Sequence, residues 1–243
     1  DTSVCENNVM QYTCNQSSDR EYKWKVIRGE VQGPDNSDTA NILWGDAGTG
    51  TLTLIQTNST TGCVDSIEQE IVINPLPEPE IISGETEVCA NRPVVYSSNA
   101  SAREEVKWDV VNGSKLTSDT ENSIEILWLS EGVGEITLKI TGEAGCVDSI
   151  KKTVTINPLP EAEILSGDTE VCEDDTVTYI SNARTTETVE WLVENGTISG
   201  QNRKKDVDIV WSVTGQGEIT LILTNKTTSC SGTVTQKVNI NPR

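Results

Sequence analysis

Cysteine is the residue type best placed to do chemistry in this chain. Six of the seven fall into two series, Cys5, Cys89 and Cys172, and Cys63, Cys146 and Cys230, each stepped by 83 or 84 residues, with Cys14 outside both. None forms a C-x-x-C, so neither a zinc ribbon nor a dithiol redox motif is spelled, and regularly spaced thiols point to disulfides in an oxidising, extracellular setting. Other reactive groups are scarce. The chain has no His, which removes Ser-His-Asp and Cys-His nucleophiles, the H-E-x-x-H metalloprotease helix and His-ligated zinc. No Walker loop or dinucleotide-binding glycine turn occurs. The adjacent acids Glu104 with Glu105, and Asp174 with Asp175, have no matching pairs in the other copies and read as solvated loop carboxylates, so no enzyme is expected. Asp35-Asn-Ser-Asp38 and Glu173-Asp-Asp175 offer oxygen ligands but lack the EF-hand order; no cofactor is expected, and calcium is the candidate ion.

The elements that must position the cysteines repeat with them. Trp24, Trp108 and Trp191 follow the first cysteine by 19 residues, Trp44, Trp128 and Trp211 follow 20 later, and Tyr12, Tyr96 and Tyr179 lie 7 after the first cysteine. Asn-Pro closes each copy at 74, 157 and 241, and the joints Ile73-Asn-Pro-Leu-Pro-Glu-Pro-Glu-Ile81 and Ile156-Asn-Pro-Leu-Pro-Glu-Ala-Glu-Ile164 are nearly identical. A fixed period means a tandem array. Residues 1–77, 78–159 and 160–243 are the expected domains, each small enough to profit from a covalent staple.

Formal charge is minus 20, spread as minus 7, minus 7 and minus 6 over the three copies. Binding to nucleic acid or to an anionic membrane needs clustered Lys and Arg, so neither partner is expected. No segment approaches the roughly 18 apolar residues of a membrane span, and Asp1-Thr-Ser-Val lacks the basic and apolar regions of a signal peptide. Six Asn-x-Ser/Thr sequons, at Asn15, Asn58, Asn99, Asn112, Asn195 and Asn225, are attributed to chance in a chain rich in these residues.

Alternation of period two dominates, as in Val106-Lys-Trp108-Asp-Val110, Ile124-Glu-Ile126-Leu-Trp128 and Ile136-Thr-Leu138-Lys-Ile140. Glycine and asparagine punctuate the runs at Asn112-Gly113, Gly132-Val-Gly134, Gly142-Glu-Ala-Gly145 and Asn195-Gly196. The second copy divides into seven strands in immunoglobulin naming: A (81–89, broken near Gly84), B (94–98), C (106–111), a short C′ near Leu116, E (124–129), F (134–141) and G (146–156). The fold class is all-β, three tandem immunoglobulin-like β-sandwich domains in an extended array. Parity places all six Trp in the core rather than on a carbohydrate-stacking platform.

Strand direction bears on the cysteines. Pairing within each copy is the simple scheme. In the sandwich, however, the first cysteine ends strand A at one end and the second opens strand G at the other, separated by roughly 25 Å along a strand. A disulfide tolerates roughly 5.5 Å between α-carbons. The preferred pairing therefore crosses the joints, Cys5 with Cys146 and Cys89 with Cys230, with Cys14 closing on Cys63 and Cys172 free for a following domain.

The frame Val-Cys-x6-Tyr, Trp-x-Val, Ile-x-Ile/Val-x-Trp, Gly-x-Gly-x-Ile/Leu-Thr, Gly-Cys and Ile-Asn-Pro-x-Pro resembles the PKD-like, immunoglobulin-like repeats of secreted and cell-surface proteins of the Bacteroidota. It is carried by Val88-Cys89, Tyr96, Trp108, Trp128, Gly132, Gly134, Gly145-Cys146 and Asn157-Pro158, and the third copy departs with Ser229-Cys230. The resemblance implies the stalk of a large surface adhesin, of which gliding-motility adhesins and proteins exported by type IX secretion are examples. It also implies O-glycosylation at Asp-Ser/Thr-apolar sites, matched at Thr39, Ser66, Ser149 and Thr176.

The expected function is a rigid, non-catalytic spacer at the cell surface, with further copies of the repeat as partners. A module binding polysaccharide or another protein, and an accessory region of a secreted hydrolase, are the alternatives. Asp1 aligns with Glu85, so the first copy lacks the Ile-Ile-Ser-Gly half of strand A. An open sheet edge is expected there, able to take a strand from another chain.

Overall fold

The computed structural model describes residues 2–243; Asp1, on which the strand A alignment was anchored, lies outside the described residues. The first repeat contributes β1 (Ser3–Cys5), β2 (Val9–Thr13), β3 (Arg20–Ile27), β4 (Gly29–Gln32), β5 (Thr39–Trp44), β6 (Gly48–Asn58) and β7 (Val64–Asn74). The second contributes β8 (Ile81–Ser83), β9 (Glu87–Cys89), β10 (Pro93–Ser98), β11 (Glu105–Val111), β12 (Gly113–Lys115), β13 (Ser123–Trp128), β14 (Gly132–Thr141) and β15 (Val147–Asn157). The third follows with β16 (Ile164–Ser166), β17 (Glu170–Cys172), β18 (Thr176–Ser181), β19 (Glu187–Glu194), β20 (Gly196–Ser199), β21 (Asp206–Trp211), β22 (Gly215–Asn225) and β23 (Ser231–Asn241).

These strands build three immunoglobulin-like sandwiches, and among the described residues no sheet mixes strands of two repeats. In repeat 2 the sheet β11-β14-β15-β9 faces β12-β13-β10-β8, repeat 3 has the equivalents β19-β22-β23-β17 and β20-β21-β18-β16, and repeat 1 has β3-β6-β7-β1 against only β4-β5-β2. Strand A changes sheets at Gly84: β8 runs antiparallel to β10, while β9 runs parallel to the end of β15 with Cys89 opposite Asn157.

Alternation in the sequence becomes one buried face per strand. β13 buries Ile124, Ile126 and Trp128 and turns Ser123, Glu125 and Leu127 the other way. All six Trp are in the core, five of them wholly buried and Trp24 nearly so. In repeat 2 the edge of Tyr96 meets Trp128, centroids 6.1 Å apart at 88°, and the same pair recurs as Tyr12 with Trp44 and Tyr179 with Trp211. Trp128 Nε1 donates to Tyr96 Oη at 3.1 Å, and that hydroxyl donates to Glu85 O at 2.7 Å, so both buried polar atoms are satisfied. Burial pushes the Tyr96 phenol up to about 12, against the lowering effect of the indole donor.

Gly132-Val-Gly134 opens strand β14: Gly132 takes the positive φ expected of a punctuating glycine, 123°, and Gly134 lies in strand F. Glycine is needed at 134 because a Cβ would stand 2.3 Å from Cζ3 of Trp128. The short strand expected near Leu116 is Gly113–Lys115, which pairs with Trp128, Leu127 and Ile126 after Asn112 turns the chain at φ 59°.

Candidate functional site: the joints between repeats

The first cysteine of each repeat is placed by the parallel pairing of β1, β9 or β17 with the end of its own G strand. Cys5 is opposite Asn74, Cys89 opposite Asn157 and Cys172 opposite Asn241. The second cysteine precedes the start of that G strand. Strand G runs 11 residues in each repeat, so the two cysteines of one repeat are about 36 Å apart at ~3.3 Å per residue. That is far beyond the reach of a disulfide.

Across the joints the distance closes. Cys5 is bonded to Cys146 with α-carbons 5.6 Å apart, and Cys89 to Cys230 at 5.5 Å; both bridges span 141 residues of sequence. Cys14, Cys63 and Cys172 are free thiols. The pairing of Cys14 with Cys63 is thus overturned. Cys14 occupies the position of Ser98 and Ser181, which face the core, and its thiol turns inward towards Gln56; burial pushes its pKa up, against the effect of that hydrogen bond. Cys63 lies past the last paired residues of the ladder, Thr57 with Val64, in the exposed turn that in later repeats reaches the preceding one.

The linker between the staples is held from both sides. On the repeat 1 side Glu6 N donates to Asn74 O at 2.9 Å, its carboxylate accepts from Leu76 N at 2.9 Å and Ala47 N at 3.1 Å, and Asn74 Nδ2 donates to Ser3 Oγ and Val4 O. On the repeat 2 side Asn99 Nδ2 donates to Glu78 O at 2.8 Å and Asn99 Oδ1 accepts from Glu80 N at 2.9 Å. The second joint repeats the clamp with Asn182 on Glu161 O and Glu163 N. Pro77 is buried, and Leu159 packs against the core of repeat 2. Each joint therefore combines a proline-restricted linker, asparagine clamps and a covalent bond.

The clamps went unnoticed in the sequence because Asn99 opens a sequon, although its recurrence three residues after each tyrosine was visible. Asn58 and Asn225 accept hydrogen bonds from the amides that follow them in the turn before strand G. Asn112 and Asn195 hold positive φ at 59°. These asparagines are thus explained by backbone geometry.

Of the residues that the resemblance marks for O-glycosylation, Ser66, Ser149 and Thr176 are exposed and Thr39 is half-buried. Ser66 and Ser149 stand on the G strands with their amides bonded to Asp65 and Asp148. Two of the acids considered for calcium are engaged elsewhere: Asp35 pairs with Lys23, and Asp175 accepts from Cys172 N and Arg243. Among the described residues no group of three or more Cys, Asp or Glu is arranged to hold a metal. Glu104 accepts from Ser101 N, as a turn carboxylate does. Among the described residues no helix is long and apolar enough to cross a membrane.

These features define tandem immunoglobulin-like sandwiches with stapled joints. Residues 75–156, the first linker with most of repeat 2, match the family model described as PKD-like domain. No curated protein matches the chain in sequence. Solved structures similar to it include a mixed-linkage glucan utilization locus protein of Bacteroides ovatus, SGBP-B, in complex with a mixed-linkage heptasaccharide, at 15% identity and a TM-score of 0.27 over 99% of this chain. This chain spans 65% of that protein's length. The fibronectin(III)-like modules of Clostridium thermocellum CbhA are similar at 14% identity over 68% of this chain and 95% of theirs, TM-score 0.32, and Drosophila N-cadherin EC1-4 at 11% over 95% and 69%, TM-score 0.32.

Proposed function

We propose that this chain is a non-catalytic, rigid spacer from a secreted cell-surface adhesin, its domains bounded near residues 77 and 159 and arranged as an extended array. The observation that carries the reading is the pair of disulfides across the joints. A bond within a domain would stabilise that domain; a bond between domains also removes their freedom to hinge. Like charge of minus 6 to minus 7 on each repeat works in the same direction, opposing collapse of one domain onto another. Further copies of the repeat are the natural partners, because Cys63 and Cys172 stand where the other members of their series are bonded. The spacer is read as needing no cofactor, and chelation of calcium should leave its melting temperature unchanged within about 1 °C, on the scale at which 1 kcal/mol moves a small domain by about 4–8 °C.

Small-angle scattering tests the reading. Three sandwiches of on the order of 35 Å each, set end to end, give a maximum dimension near ~105 Å, with a narrow distribution that broadens on reduction. Oxidised protein with a maximum dimension below about 80 Å on the same scale refutes the spacer. Burial of all six Trp removes the stacking platform on which a polysaccharide-binding reading would rest, and a glycan array that detects binding reinstates it.

A further inference from the structure

The even charge of the three repeats hides one local reversal of sign. Arg184, Arg203, Lys205 and Lys226, all exposed, line a groove of about 740 Å³ beside β19 of repeat 3. They come from three connections: Arg184 precedes β19, Arg203 and Lys205 precede β21, and Lys226 follows β22. Arg203 is 77% exposed and has only a loose ion pair, 3.8 Å to Glu190. Among the described residues the other three form no ion pair.

The backbone that carries the cations is the same in every repeat. Asn202 O accepts from Trp191 N at 2.9 Å, Lys204 O from Trp191 Nε1 at 3.0 Å and Lys205 O from Ser181 N at 2.9 Å. In repeat 2 Asp119, Glu121 and Asn122 make these contacts with Trp108 and Ser98, and in repeat 1 Asp35, Ser37 and Asp38 make them with Trp24 and Cys14. The turn before strand G is likewise closed from Asn225 N to Cys230 O, Gly142 N to Cys146 O and Asn58 N to Cys63 O, which sets Lys226 in register with Glu143 and Ser59. Arg184 stands two residues past Asn182, as Ser101 does past Asn99 and Ser17 past Asn15. The four positions thus carry plus 4 in repeat 3, but minus 1 in repeat 2 (Ser101, Thr120, Asn122, Glu143) and minus 1 in repeat 1 (Ser17, Asn36, Asp38, Ser59). The sisters build this frame without cations, and gathered like charges repel, so a ligand of opposite sign is what accounts for them.

The rest of the lining narrows the ligand. Glu187 and Glu190 against the four cations leave a net plus 2, which suits a sparsely charged polyanion, and these carboxylates with the hydroxyls of Thr188 and Thr224 suit a partner rich in hydroxyls. No aromatic ring lines the groove, so bases of a nucleic acid have nothing to stack on. A peptide has no free edge to extend at Trp191, because Asn202 O takes the Trp191 amide and Asn202 Nδ2 donates to Trp191 O at 3.3 Å.

We infer that the groove on repeat 3 binds an acidic polysaccharide through the carboxylates of its uronate sugars, with Arg184 and Arg203 as guanidinium forks and Lys205 and Lys226 as point charges. The handle is charge, so burial of the tryptophans does not oppose it. The site adds a ligand to the spacer and does not rest on the joints that stiffen it.

Nuclear magnetic resonance of the 243-residue protein, titrated at low salt with a galacturonic acid hexasaccharide, tests the assignment. Shifts are expected at residues 183–190, 203–206 and 222–226 and at the side-chain Nε–H of Arg184 and Arg203, with Arg20 and Arg92 unmoved. R203T with K205N, the residues of repeat 2 on the same backbone, should weaken binding about tenfold, whereas K25T with K237N, an equal loss of charge at exposed positions elsewhere, should change it less than about twofold. Salt raised from about 0.01 M to about 1 M, which shortens the screening length from about 30 Å to about 3 Å, should abolish binding. Absence of shifts, shifts spread over all three repeats, equal weakening by K25T with K237N, or equal affinity for a neutral hexasaccharide each overturns the site. Tighter binding of a sulfated hexasaccharide overturns the uronate, and tighter binding of a hexaglutamate peptide overturns the polysaccharide in favour of an acidic protein. None of these outcomes bears on the maximum dimension by which the spacer is judged.

Discussion

Replacing Cys5 and Cys146 together by serine removes one staple and leaves Cys89–Cys230 in place. The variant is best made without Cys14, Cys63 and Cys172, so that no free thiol reshuffles the remaining bridge. When repeat 1 unfolds alone, Cys146 stays fixed in folded repeat 2 beside the linker, and the bridge closes a loop of about 70 residues, from Cys5 to Leu76. A loop of that size lowers the entropy of the unfolded chain by about 15 cal/mol/K, or ~4.4 kcal/mol at 25 °C. If repeats 1 and 2 unfold together, the 141-residue separation gives ~5 kcal/mol, because the dependence is logarithmic. Both routes give nearly the same answer, several times the ~1 kcal/mol of a single linker hydrogen bond.

Hydrogen exchange read by mass spectrometry resolves the three repeats within one molecule. The slowest amides of β3, β6 and β7 should exchange about 10³-fold faster in the double variant, the factor for ~4 kcal/mol at 1.4 kcal/mol per decade. Repeat 3, still tied by Cys230, is the internal control. The melting transition of repeat 1 should fall by about 15–30 °C. An increase in exchange of less than tenfold would refute the reasoning, since the staple would then close no loop that the folded joint does not already close.

Other perturbations test the parts around the staples. Y96F leaves the buried indole N–H of Trp128 without its acceptor and should destabilise repeat 2 by about 1–3 kcal/mol, measured by chemical denaturation with exchange assigning the loss to that repeat. The same residue sets an alkaline limit. Its folded value of about 12 lies above the ordinary 10.0, so its contribution is complete below pH 10 and is lost as pH rises towards 12; the opening energy of repeat 2 should fall by up to ~1.4 kcal/mol per pH unit there, with a shallower slope in Y96F. G134V drives a branched side chain into Trp128 and should cost about 3 kcal/mol or more, or prevent repeat 2 from folding, with the loss of its near-ultraviolet tryptophan signal as the readout. N182A removes two linker hydrogen bonds and should speed exchange at Glu163 about tenfold while leaving the melting temperature of repeat 2 within a few degrees.

The strands were legible because burial on one face writes period two into every copy, and a triplicate array supplies three samples of each pattern. The cross-joint geometry followed from one further step, that cysteines at opposite ends of a long strand cannot meet. Cys14 was misjudged because its height along β2 was weighed and its parity was not: two residues after Tyr12, it inherits the inward face of Ser98 and Ser181 and packs against the core, away from the exposed turn that carries Cys63. Gly132 marks the break before strand F with its positive φ, as glycine usually does, whereas at Gly134 the cause is lateral, a tryptophan ring lying against the strand. The clamping asparagines were hidden in the sequon pattern, which shares their residue type but none of their geometry.

The joints also explain why the cysteine spacing is held so tightly. A disulfide between domains fixes two surfaces at once: the end of β1 or β9 must present its sulfur to the turn before the next repeat's strand G, while the linker leaves the same end of the first domain and is seized by Asn99 or Asn182 on the second. An inserted residue in the linker would shift the second domain by up to about 3.4 Å along the chain, most of the 5.5 Å that the α-carbons of a bridge span. Both linkers instead have Asn-Pro-Leu-Pro-Glu in the same register to their clamps. Linker length, clamp and staple are one geometric constraint, and a joint built this way transmits orientation as well as connection from one repeat to the next.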